Sequence, residues 1–408
     1  MKITLSLFAA AIFLAGCKDT ATNSPEVFRV TPYEPAAVIK SNPAKVYAHY
    51  MPWFESKEVN GKWGIHWTMA TRDPENIVDG KREIASHFYP LIGPYSSIDP
   101  DVIEYHLLLM KLCGIDGVLI DWYGSYEVSD YKQNLDNSNA LVDRLDETGL
   151  TFGIVYEEYT AENVADQGKA DSDIDAAKGD LAFMHQNYFP NSQYIYLNER
   201  PILLTFGPRH FQSPSDWTQI FADTEPKPLF LTLWYESSEA GNNAQGEFAW
   251  VYRNHLADLD NFYNNRAPQF EHSMGSAYPG FLDYYDLGGW NDQIDWSIAH
   301  NGTGTLSATL KKATEAQVSI LQLVTWNDFG EGTMIEPTDE FGFSFLELVQ
   351  QFCGVTFTVD DLMLVYHLYL LRKKYPDNAT IQLKLDQVFY YCAALKLQDA
   401  GKLLNEIE

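Results

Sequence analysis

What most limits the fold of this chain is a rhythm. Short apolar, β-branched segments recur along it, and amphipathic helical stretches fill the intervals between them. Strands are expected at Lys45–Met51, Gly117–Trp122, Leu150–Tyr156, Pro201–Phe206, Pro228–Trp234, Phe248–Tyr252, His272–Ala277 and Val318–Thr325. Strand and helix in alternation is the pattern of a parallel βα architecture, because a parallel pair needs a crossover and a helix supplies it. Eight such units over this length fit an α/β fold of the (β/α)8 TIM-barrel type. A doubly wound sheet is the competing arrangement, but no Gly-rich phosphate loop follows the first strand. Asp99 as N-cap and Pro100 in the first turn open a helix running from Val102 to Cys113, which Gly114 stops. A second helix, Ser138 to Glu147, ends at Gly149 in the same way. After the barrel, taken as residues 44–352, a small helical appendage over 353–408 is expected. It consists of two stretches, Asp360 to Lys374 and Asn378 to Leu397, parted by Tyr375-Pro376-Asp377.

The ends carry different information. Lys2, the apolar run Ile3 to Leu14, and Leu14-Ala15-Gly16-Cys17 read as a signal peptide over 1–17, too short to span a bilayer. The last four residues resemble the lipobox of bacterial lipoproteins, which implies a lipid on Cys17. Lys18 in place of Asp after that cysteine implies the outer membrane, facing either the periplasm or the outside. Residues 18–43, rich in Pro, Ser, Thr and Ala, read as a flexible tether. A formal charge of -28 speaks against nucleic acid and against adhesion to anionic lipid, so membrane attachment is expected through the N-terminal lipid alone. Apart from Cys17 the cysteines are Cys113, Cys353 and Cys392, with neither zinc spacing nor a disulfide framework.

Chemistry gathers where strands run into loops. Val318 to Thr325 leads into Trp326-Asn327-Asp328-Phe329-Gly330-Glu331-Gly332, with two acids three residues apart. A rigid sheet fixes such positions, and a carboxylate pair is what cleavage of a glycosidic bond needs: one proton donor and one base or nucleophile. The plain alternative is a turn, which Asn, Asp and Gly favour without any catalytic purpose. Earlier strand ends add Tyr50 and Trp53, then Asp121-Trp122-Tyr123, then Glu157-Glu158-Tyr159, Trp234-Tyr235-Glu236 and Tyr252. A long excursion after the first strand holds His66 and Trp67. Aromatics make up 14% of residues, with ten Trp, and flat rings suit sugar faces as well as cores. His66 reads either as a partner for a sugar hydroxyl or as a core histidine, and Asp121 either as a site acid or as a loop cap. No metal-ligand spacing and no Gly-x-Ser-x-Gly elbow are present, so neither metal, cofactor nor Ser-His-Asp chemistry is expected.

Tyr50-x-Pro52-Trp53-Phe54, Ile65-His66-Trp67, Gly114-Ile115-Asp116-Gly117, Tyr156-Glu157-Glu158-Tyr159 and Trp326-Asn327-Asp328-x-x-Glu331-Gly332-Thr333-x-Ile335-Glu336-Pro337 together resemble glycoside hydrolase family 99. That family comprises endo-α-mannosidases and endo-α-1,2-mannanases. The related family 71 α-1,3-glucanases share the Trp-Asn-Asp-aromatic-Gly-Glu run. The resemblance implies an endo-acting α-glycoside hydrolase with Asp328 and Glu331 catalytic. The first would deprotonate the substrate's own 2-hydroxyl, giving a 1,2-anhydro sugar and retention; the second would be general acid, then base. It implies an active-site role for Glu157. With the residues at the other strand ends and in the motifs, the expected substrate-binding set is Glu157, Asp121, Tyr50, Trp53, His66, Trp67, Trp122, Tyr252, Trp234, Asn327 and Glu336, in a monomer acting on an oligo- or polysaccharide. The chain departs from the mannanase pattern at Asp328, one methylene shorter than the glutamate there and the same as in the glucanases. Substrate, linkage and stereochemical outcome therefore stay open, as does a non-catalytic glycan-binding role. Carboxyl groups about 6.5–9.5 Å apart hold a water and invert, whereas about 5–5.5 Å suits direct attack.

Overall fold

The computed structural model describes residues 28–291 and 294–407. The signal peptide, Cys17 and the first part of the tether lie outside the described residues. Parallel strands β1 (Lys45–Tyr50), β2 (Gly117–Trp122), β3 (Thr151–Tyr156), β4 (Arg200–Thr205), β5 (Leu229–Leu233), β6 (Gly246–Phe248), β7 (His272–Ala277) and β8 (Ile320–Leu323) close into a barrel. The ring is sealed where β8 returns to β1, Lys45 opposite Ile320, and where β3 meets β4, Ile154 opposite Leu203. Closure leaves no edge strand in the barrel to pair with another chain. Every residue of β2 is buried, as befits a strand covered on both faces, and Asp121 is the one acid in that run.

Two segments depart from expectation. β6 lies over Gly246–Phe248 rather than Phe248–Tyr252. Its Glu247 is buried and bound by Arg266 and by the N–H groups of Tyr235 and Ser237. Beyond Phe248 the chain leaves the ladder and turns its rings toward the barrel mouth. The helix expected over Ser138 to Glu147 is instead α2 (Tyr131–Val142), followed by a break and a single turn ending at Gly149. Its early turns were hidden because polar residues face inward. Asn134 Nδ2 donates to Asp121 O at 3.1 Å, and Asn137 Nδ2 to Pro52 O at 2.7 Å.

The helix before β2 is α1 (Pro100–Leu112), with the Asp99 carboxylate accepting from Asp101 N. After α3 (Ser344–Cys353), the C-terminal residues form α4 (Val359–Lys374), opened by a Thr358/Asp361 capping box, and α5 (Ala379–Ala393). A further helix, α6 (Leu397–Asn405), was not foreseen. The sequence reads through it because Leu395, not a glycine, takes the positive φ of 58° that ends α5. Arg372 on α4, 7% exposed, spans Glu104 of α1 at 2.8 Å and Asp386 of α5 at 2.6 Å. Cys113, Cys353 and Cys392 are buried free thiols.

The described part of the tether, residues 28–43, corrects the expectation of a flexible leash. It has no regular structure, yet it is strapped to the body. Thr31 exchanges backbone hydrogen bonds with the Gln387 amide at 2.6 and 3.0 Å, Lys111 Nζ donates to Ala36 O at 2.6 Å, and Lys40 pairs with Asp116. Its composition looked disordered because these bonds use backbone groups and partners far away in sequence. Among the described residues no helix is long and apolar enough to cross a membrane.

Removing one partner of a buried ion pair strands the other charge. Arg372→Ala leaves buried Glu104 with Arg144 alone, 3.8 Å away, and a loss of about 3 kcal/mol is expected. Denaturant unfolding followed by fluorescence would read it; an unchanged midpoint would mean that the α4–α1 contact bears no load.

Candidate active site

The loop after β8 is folded back on itself. Thr325 N donates to Thr333 O at 2.8 Å, Ile335 N to Thr325 O at 3.0 Å and Glu336 N to Trp326 O at 2.8 Å. Its tip, 328–331, is thus held out as a short rigid finger. Leu282 N and Tyr284 N, from the loop after β7, donate to Glu331 O and Gly330 O, both at 2.8 Å. Gly332 allows this approach: it has φ +66°, and a Cβ there would stand 2.8 Å from Leu282 O.

The finger delivers Asp328 and Glu331 to a cavity of about 600 Å³ at the barrel mouth, within the usual range for small-molecule sites. Asp121 from the end of β2, Glu157 from just after β3, and Trp53 and His66 from the excursion after β1 line the same space. Trp53 and His66 lie face to face, ring centroids 4.2 Å apart and planes 4° from parallel. Burial holds the His66 imidazole below its ordinary pKa, opposed by Asp130 at 3.7 Å. Among the described residues, no three His, Cys, Asp or Glu side chains are arranged to hold a metal ion.

Electrostatics separates the acids. Burial raises Asp328 to about 6, opposed by N–H groups of Glu331 and Gly330 that favour its carboxylate. Burial, then the Asp328 charge, raises Glu331 to about 8, opposed by the Tyr285 hydroxyl, which donates to Glu331 Oε1 at 2.9 Å. Near neutral pH this favours an ionised Asp328 beside a protonated Glu331: a base and an acid on one turn of chain. Burial likewise pushes Asp121 and Glu157 upward, and their side chains hydrogen-bond each other.

A second cavity of about 570 Å³ adjoins the first and shares Phe206, Arg209, Trp250 and Glu331 with it. Its further walls are aromatic and include Trp234, Trp296 and the exposed Tyr252.

Five residues nominated from sequence do not reach either cavity. Tyr50, Trp67 and Trp122 are fully buried. The Tyr50 hydroxyl faces His106 Nδ1 at 3.0 Å, Trp67 Nε1 donates to Tyr95 O at 2.7 Å, and the Trp122 ring packs on Phe183 and Tyr188. Asn327 and Glu336 are also buried, beneath the finger. Asn327 Oδ1 accepts from Met51 N at 2.8 Å while its Nδ2 donates to Met51 O at 3.0 Å; Glu336 accepts from Tyr95 OH at 2.8 Å. Alternation accounts for Tyr50 and Trp122, the last residues of β1 and β2: a ring at a strand end is as often turned away from the mouth as into it.

Conversely, Tyr285, Arg209, Tyr123 and Trp290 line the cavity without having been nominated. Arg209 follows β4, the strand whose loop had yielded no candidate, so inspecting every strand end alike would have found it. It is set in place by Glu158, whose carboxylate accepts the backbone N–H of Arg209, of His210 at 2.9 Å and of Phe211 at 3.2 Å. Of the adjacent acids 157 and 158, one faces the cavity and the other builds its wall.

A sequence model of glycosyl hydrolase family 99 matches residues 42–222, which holds β1 to β4 and both Asp121 and Glu157. Relatives extend the likeness further. The glycoprotein endo-alpha-1,2-mannosidase of Mus musculus is 23% identical over 335 residues, covering 71% of this chain and 67% of its own length. That of Rattus norvegicus is 24% identical over 338 residues, again covering 71% and 67%. In fold, the GH99 endo-alpha-mannosidase from Bacteroides thetaiotaomicron superposes with a TM-score of 0.59 at 18% identity, over 78% of this chain and 98% of that one. Over the matched segment and against these relatives, this chain is similar to the glycoside hydrolases of family 99.

Proposed function

We propose that this protein is an endo-acting α-glycosidase that cleaves an α-mannan or a related α-linked glycan, with Glu331 as proton donor and Asp328 as base. The observation that carries the reading is the finger: two acids on one turn, in one cavity, pushed to different proton affinities. Glu331 Oε1 is occupied by the Tyr285 hydroxyl, which leaves Oε2 to carry the proton toward the glycosidic oxygen. Asp328, fixed by the N–H of Glu331 at 2.9 Å, takes a proton from the attacking group. By likeness to the family that group is the substrate's own 2-hydroxyl, and the resulting 1,2-anhydro sugar opens when Glu331 returns as base to activate water. Glu157, Trp53 and His66 hold the sugar being cleaved. The groove beyond Glu331, walled by Trp234, Tyr252 and Trp296, lies on the proton donor's side and takes the leaving portion, as cleavage within a chain requires. The lipobox motif adds a location: anchored by lipid on Cys17 to the outer membrane.

The test is a product screen of α-mannans and α-glucans with the protein and with Asp328→Asn and Glu331→Gln. Oligosaccharides released by the wild type, with each variant slower by about 10²–10⁴-fold, are expected for a general base and a general acid. Affinity for a glycan without release would instead mark a binding protein.

The pH dependence has a defined sign. Activity should fall below about pH 6 as Asp328 gains a proton and above about pH 8 as Glu331 loses its own, giving a bell in kcat/KM. The Tyr285 hydrogen bond favours the Glu331 carboxylate, so Tyr285→Phe raises that pKa. The descending limb should then move to higher pH while kcat drops. A limb that stays in place would remove Tyr285 from the acid's control.

A further inference from the structure

Asp121 and Glu157 form a second pair of acids in the cavity, and the reaction just described gives Asp121 no task. They come from neighbouring strands. β2 and β3 run in register to Trp122 opposite Tyr156, and Glu157 N extends the ladder by donating to Trp122 O at 3.0 Å. That step brings Glu157 alongside Asp121, and their carboxyl groups hydrogen-bond. Two carboxylates have no donor between them, so the contact requires a proton.

The surroundings offer no other way to neutralise it. Facing the pair are Tyr123 after β2, Asp130 and Tyr131 at the start of α2, Glu158 and Tyr159 after β3, Arg209 after β4, and Asp328 and Glu331 on the finger. Among the described residues that line the cavity, Arg209 is the sole cation, and its guanidinium is already bonded to Glu236. The Glu158 charge is taken up by three backbone N–H groups. Asp121 is 2% exposed and its Oδ2 meets no N–H or O–H donor apart from what Glu157 supplies.

We propose that Asp121 is a positioning residue: it accepts a hydrogen bond from protonated Glu157, so that Glu157 meets the substrate as a neutral acceptor while Asp121 stays charged. The purpose is the charge count beside the finger. A further ionised group there would raise the proton affinity of both finger acids, leaving Asp328 a protonated base and Glu331 a reluctant donor.

The test reads the proton directly and does not depend on the proposed activity. In a Glu331→Gln background, which removes the other protonated cavity acid, infrared difference spectra at neutral pH report the C=O stretch of a protonated carboxyl. One carboxyl's worth of this band should vanish on adding Glu157→Gln. It should also vanish on adding Asp121→Asn, because Glu157 then ionises and accepts from the new amide. A band that survives either substitution overturns the proposal. With Glu331 intact, a kinetic arm follows. Glu157→Gln replaces a neutral group and should leave the descending limb of kcat/KM in place, whereas Asp121→Asn/Glu157→Gln removes the pair's charge and should move that limb to lower pH. A limb moved to lower pH by Glu157→Gln alone overturns the proposal, since Glu157 would then have been ionised. Absence of glycosidase activity in the wild type would sink the reading of the finger alone, since the infrared result stands without turnover.

Discussion

The side-chain amide of Asn327 replaces a piece of β-sheet. Where β1 and β8 part at the barrel mouth, Trp326 N still donates to His49 O at 2.6 Å, and one residue later the amide exchanges two hydrogen bonds with the backbone of Met51. The ladder therefore continues through a side chain after the strands have ended. Asn327 Nδ2 also reaches Tyr95 OH, which donates to Glu336, which faces His106 at 3.2 Å, which meets Tyr50. All of these groups are buried, so each unmet hydrogen bond there carries the desolvation cost of an isolated polar group. That cost ties the finger to the barrel. Residues nominated as sugar contacts turn out to be the footing on which Asp328 and Glu331 stand.

Above that footing the cavity concentrates acids with scarcely any balancing cation. Burial alone would drive all four carboxyls toward the neutral form, and their differences come from local donors. Asp328 has two N–H groups, Glu331 has the Tyr285 hydroxyl, and Asp121 and Glu157 have each other. A site made this way suits a reaction in which positive charge develops on a sugar ring, since a surplus of acid favours that charge without needing contact at every atom.

The barrel was legible in the sequence because strands such as β4 and β5 are buried and appear as apolar runs. β7 was found over His272–Ala277 as expected, and α1 was announced by its cap, its proline and its terminating glycine. α2 was misplaced because Asn134, Asn137 and Ser138 face inward, reversing the polar pattern that a surface helix shows. The acids of the finger were visible as a motif, but which neighbours face the cavity was not. Trp53 and Trp67 stand in the same excursion, one lining the cavity and the other fully buried, and only the path of the loop decides between them. Arg209 and Tyr285 carried no local signal beyond following a strand.

The strap over residues 28–43 has a consequence for the order of events during folding. Thr31 and Gln387 are 356 residues apart, so the bonds between them join nearly the two ends of the described chain. Such contacts carry the largest loop-closure entropy and form late. During synthesis the barrel strands emerge before α5 exists to receive the strap, leaving the N-terminal segment free while the rest of the polypeptide is made. Once α5 docks, Lys111 and Gln387 bind the same segment from opposite halves of the chain, and the strap is cinched to the body it preceded.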